Sequence, residues 1–145
     1  MSAKLSFTII QESHDGPVGD DWRYKVEAKV YNEGLRDEAI IEVAEHKLPD
    51  GTRQTPPGPP ATINMDAGDS SLPVLIKLRA EATEVDTFRN DVGFTNIDLS
   101  LDCPEPGKAP LVHDQVIEIA VVESPALTHA TSILTLTLRF ELSCQ

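Results

Sequence analysis

Four histidines, two cysteines and twenty-four carboxylates are the side chains of this 145-residue sequence with the widest chemical reach. His14, His46, His113 and His129 are widely separated and share no metal-ligand spacing such as His-x-x-x-His. Each reads as an ordinary surface or loop histidine. His113 adjoins Asp114, but neighbours on a strand point to opposite faces. Nucleophilic catalysis needs a serine or cysteine held beside a base. The sequence has no Gly-x-Ser-x-Gly elbow and no Cys/His signature, so a hydrolase would have to assemble its site from separate loops.

The eight glycines sit singly in turns and make no phosphate-cradling loop, which disfavours nucleotide binding. Calcium takes oxygen ligands from carboxylates clustered in loops. The segment Asp15-Gly16-Pro17-Val18-Gly19-Asp20-Asp21 is therefore the best cation candidate, with Asp15, Asp20 and Asp21 as the metal ligands. Its order is not that of an EF-hand, and a solvated loop is the plainer reading. Asp98 and Asp102, with Ser100 between them, fit the wet side of a strand. Carbohydrate binding would call for exposed rings. Phe7, Trp22, Tyr24 and Phe140 fall in phase with apolar rows, Phe88 and Phe94 complete the set, and Tyr31, in the opposite phase, is the expected exposed ring.

These residues are carried by elements of period two. Trp22, Tyr24, Val26, Ala28 and Val30 alternate with charged residues, and Leu134, Leu136, Leu138, Phe140 and Leu142 alternate with Thr135, Thr137, Arg139 and Glu141. Shorter rows at Leu5-Phe7-Ile9, Ala39-Ile41-Val43, Val74-Ile76-Leu78, Ile97-Leu99-Leu101 and Ile117-Ile119-Val121 each suit one face of a strand. Turn chemistry separates them at Asp15-Gly16-Pro17, Asn32-Glu33-Gly34, Pro49-Asp50-Gly51, Asp66-Ala67-Gly68 and Pro104 to Gly107. Residues 78–87 read as a strand end and a connection with at most one helical turn. The pattern predicts one all-β domain over residues 1–145, an antiparallel immunoglobulin-like sandwich of seven to nine strands.

Tyr24 to Leu35, then Ala39 to Val43, then Leu48-Pro49-Asp50-Gly51 resembles the opening of bacterial cell-adhesion-related (CARDB-like) immunoglobulin-like modules. There an alternating strand ends in an Asn-x-Gly turn and the next in a turn carrying Asp-Gly. The resemblance spans about residues 24–51 and implies a fold used for interaction or architecture.

Twelve basic residues against twenty-four acidic ones give a net charge of −12, which repels phosphate backbones and anionic headgroups. No nucleic-acid partner and no membrane insertion are expected. The N-terminal residues lack the apolar run of a signal peptide, implying a cytoplasmic setting, or an exported one only if a leader has been removed. Cys103 and Cys144 extend inward rows at strand ends; two strands flanking a third in one sheet stand too far apart to be bridged, only facing sheets would let the side chains meet, and without an export signal reduced and buried thiols are the expectation. The function expected is that of a non-enzymatic binding or structural module acting through protein contacts or self-association. The extended loop Pro56, Pro57, Pro59 and Pro60 and the sheet edges are its candidate contact elements. The alternatives are a calcium-dependent or carbohydrate-binding module, or a hydrolase.

Overall fold

The computed structural model describes residues 2–60, 62–87, 89–123 and 130–145. His129 and Phe88, both weighed above, lie outside the described residues. Among the described residues there are nine strands: β1 (Ser2–Asp15), β2 (Asp21–Tyr31), β3 (Leu35–Lys47), β4 (Arg53–Gln54), β5 (Thr62–Asp69), β6 (Val74–Glu84), β7 (Asp91–Leu101), β8 (Leu111–Val122) and β9 (Thr131–Cys144). All their pairings are antiparallel.

One sheet has the order β4-β1-β9-β8, with β5 also on the β4 side of β1; the other has the order β3-β2-β6-β7. The expected sandwich is what the chain forms. Each alternating row faces inward, because only one phase of each strand can leave water. Trp22, Val26, Ile76, Leu136 and Leu138 are fully buried, and Phe7 stacks on Phe140 with ring centroids 5.6 Å apart. Burying one such large side chain contributes about 1.5–3 kcal/mol.

Three expectations are corrected. Residues 78–84 are not the start of a connection but the continuation of β6, whose Ala80 and Ala82 face the core. Asp66-Ala67-Gly68 is not a turn; it lies inside β5, where a bulge fits the buried Ala67 against β1. The cysteines are joined. β7 and β9 lie in opposite sheets, so Cys103, just beyond β7, meets the end of β9 across the sandwich with 5.9 Å between Cα atoms. The reach argument assumed a single sheet, and facing sheets remove it.

The sides of the sandwich are closed differently. Gly93 of β7 points inward against the backbone carbonyl of Ala120 in β8, and a side chain there would collide with it. The two edge strands converge at that glycine.

Candidate functional site

Polar chemistry gathers at the end of the sandwich where β1 finishes and β2 begins, and two bulges put it there. Along β1 the inward phase runs through Leu5, Phe7 and Ile9. An extra residue between Ile9 and Gln11 then shifts the phase, so that Glu12 and His14 turn inward. In β3 two residues, Ala44 and Glu45, oppose the single Arg23, and the shift carries His46 inward in place of Glu45. Bulges re-aim side chains in this way.

Glu12 is 0% exposed and receives three side chains from three other strands. Tyr24 donates its hydroxyl to Oε1 at 2.6 Å, Gln54 Nε2 donates to Oε2 at 2.8 Å, and His46 Nε2 lies 2.9 and 2.7 Å from the two oxygens. His46 Nδ1 faces the Ala44 carbonyl at 2.8 Å, so it must be a donor. A proton therefore also sits between Nε2 and the carboxylate, and the pair is neutral as a unit. Burial, reinforced by the Glu12 hydrogen bond and charge, pushes the Tyr24 hydroxyl far above its ordinary value and holds it protonated. This arrangement is a four-strand tie.

Beside it, His14 is also fully buried. Its Nδ1 lies 2.8 Å from the Leu48 carbonyl, and its Nε2 lies 2.8 Å from Ser132 Oγ, which accepts the Val18 N–H at 2.9 Å. A neutral ring protonated on Nδ1 satisfies every one of these groups. A serine hydrogen-bonded to a histidine has the shape of a nucleophile and its base. Here Ser132 and His14 are both closed off from solvent and the serine oxygen is engaged by a backbone N–H, so the pair works as a cross-link between sheets. The reading of His14 and His46 as surface or loop residues is thereby corrected; the bulges, absent from simple alternation, are the reason. The break in alternation at Gln11-Glu12-Ser13-His14 was the available signal.

Glu84 and Asp91 lie opposite one another on β6 and β7, both facing inward and almost fully buried. Glu84 Oε2 finds no hydrogen-bond partner among the described residues. Burial, reinforced by the charges of Asp86, Asp91, Asp21 and Glu123, raises the Glu84 carboxyl to about 7.

The outer face of the β3-β2-β6-β7 sheet differs from the rest of the surface. Arg23, Lys25, Lys29, Lys77 and Arg79, five of the twelve basic residues, stand on its two central strands. Glu27, Glu81, Glu38, Glu42 and Asp98 share the face and offset these five bases; with Asp21, Glu45 and Lys47 in the same outward phase the face is nearly neutral, and most of the net −12 resides elsewhere. Leu35, Ile40, Leu75, Val92 and Phe94 are exposed here, five of the eight large apolar residues exposed among those described. Phe94 is 59% exposed under Arg79, whose guanidinium carbon lies 4.5 Å from the ring centre. Tyr31, expected to be the exposed ring, is half-buried with Lys77 Nζ 5.4 Å from its centre.

No family model matches the chain, and no curated protein matches it. The site must be read from its own residues.

Asp15 and Asp20 are exposed, and Asp21 is ion-paired with Lys47 at 2.7 Å. Among the described residues no three His, Cys, Asp or Glu side chains are grouped so as to hold a metal ion. Asp98 lies on the outer sheet face opposite Lys77, and Asp102 follows the end of β7. His113 is half-buried, while Asp114 turns outward and is gripped by Arg139 at 2.8 and 3.0 Å. Pro56, Pro57, Pro59 and Pro60 wall a groove whose other side is formed by Ile9, Ile41, Val43 and His46. Among the described residues no helix is long and apolar enough to cross a membrane.

Proposed function

We propose that the chain is a non-enzymatic module that works through protein contacts, with the outer face of the β3-β2-β6-β7 sheet as its contact surface. The observation that carries this reading is the coincidence on one face of exposed Phe94, Val92 and Ile40 with a net charge near zero, on a chain whose charge is −12. An apolar patch rimmed by polar groups marks an interaction surface. Any acidic partner, a second copy included, meets less repulsion here than elsewhere. The groove beside the proline loop supports a secondary contact, because a pre-extended segment docks at small entropic cost.

The resemblance to cell-adhesion-related modules agrees with this reading. A sugar platform is the weaker one, since cations already cover the faces of Tyr31 and Phe94. The Cys103–Cys144 bridge favours an oxidising working compartment over the cytoplasmic setting expected from the sequence.

The test is a photo-crosslinking residue placed at Phe94 in the native host, with the same residue at Lys108 as the control. The expected result is a discrete protein adduct from position 94 and none from position 108. No adduct at 94 rejects the reading.

A further inference from the structure

The loop from Gly16 to Asp20 lies over the end of the core; it is anchored by the buried Val18, whose N–H bonds Ser132, by the Gly16 N–H on Asp50 and by the Leu48 N–H on the Asp20 carbonyl, and two further contacts hold it at Gly19. Trp22, the single tryptophan and fully buried, donates its indole N–H to the Gly19 carbonyl at 2.9 Å. On its other side Gly19 is pressed so closely on the Glu84 carboxyl that a side chain at that position would collide with it. Gly19 has a φ of 152°, a conformation in which other residues are strained.

Among the described residues, the charges that act most on Glu84 are carboxylates. Asp21 comes from β2, Asp86 from the turn after β6, Asp91 from β7 and Glu123 from the end of β8. Lys47 of β3 is committed to Asp21, while His14, whose ring lies 4.8 Å from that of Trp22, is committed to Leu48 and Ser132. A neutral Glu84 can sit under Gly19. An ionised one is a buried charge with an unpartnered oxygen, facing a second buried carboxyl.

We propose that Glu84 and the Gly16–Asp20 loop form a proton-held latch: the loop is closed over Trp22 while Glu84 carries a proton and lifts when the proton leaves. Lifting lets the carboxylate reach water and uncovers the Trp22 end of the core. Linkage sets the sign, because a proton held more tightly in the closed state stabilises that state at low pH. The ratio of open to closed forms then grows by up to about tenfold per pH unit across the interval between the ordinary carboxyl value and the raised one.

The single tryptophan reports the event directly. Acrylamide quenching of Trp22 is measured from about pH 5.5 to about pH 8.5, with far-ultraviolet circular dichroism as the check on the fold. The expected result is a quenching constant that rises severalfold towards high pH, with a red-shifted emission and an unchanged β spectrum. Glu84→Gln should hold the low value at every pH. Gly19→Ala should show the high value even at acidic pH, since its side chain meets Glu84 whether or not the acid is protonated. A flat profile in the native chain, a rise that survives in Glu84→Gln, or a loss of β structure that accompanies the rise each overturns the proposal.

Discussion

Removing His46 leaves Glu12 as a buried carboxylate with Tyr24 and Gln54 but no counter-charge. Breaking a buried pair from one side costs about 3–5 kcal/mol, so His46→Leu should lower stability to chemical denaturation by that order. Replacing both partners, Glu12→Gln with His46→Leu, should cost less than the sum of the two single changes, and a double-mutant cycle measures the difference. Glu84 makes the opposite kind of prediction. Its carboxyl is raised to about 7 in the folded chain, above the ordinary value of 4.5, so its favourable contribution is complete below 4.5 and is lost as pH rises through 7. Thermal stability should fall between these values. Glu84→Gln should flatten that fall and melt higher than the native chain above pH 7, which calorimetry across the range will show.

At the level of the strands, much was legible. Seven of the nine strands announce themselves by alternation, because one sheet face is apolar and the other wet, and the inward rows of β2, β6 and β9 are the rows read from the sequence. β4 is only two residues long and leaves no periodic trace; β5 does alternate, with Ile63, Met65 and Ala67 inward, but its Asp66-Ala67-Gly68 was read as turn chemistry. The polar tie was hidden for another reason. A bulge changes the phase of a strand by one residue, and alternation cannot say where that happens, so Glu12 was passed over and His14 and His46 were assigned to the surface. The contact face was half visible: its charged residues were evident, but Phe94 could be placed beside Arg79 only once β7 was known to lie next to β6. The disulfide was missed because strand spacing says nothing about which sheet a strand joins. It closes a loop with a sequence separation of 41, for which the chain-entropy estimate is about 4 kcal/mol. Cys103→Ser with Cys144→Ser should lose up to that amount, and thiol labelling of the denatured native chain without reductant should find no free thiol.

Across the whole molecule, an excess of twelve negative charges opposes compaction at neutral pH. Raising salt from about 0.02 M to about 0.2 M shortens the screening length severalfold, and the melting temperature should rise with it. The neutral face of the β3-β2-β6-β7 sheet is the part of the surface least affected by that change. The seam at Gly93 governs a different property. An edge strand displays a row of backbone groups ready to receive another chain, and β8 adds exposed Val112, Val116 and Val122 with no proline or lysine to discourage it. Because glycine lets β7 come down onto the Ala120 carbonyl, that part of the β8 edge is occupied from within the molecule. Gly93→Ala would wedge the two strands apart and turn a sealed margin into a template. The cost should then appear less in the melting temperature than in shelf life, as fibrils that bind thioflavin and grow from a protein still folded when the incubation began.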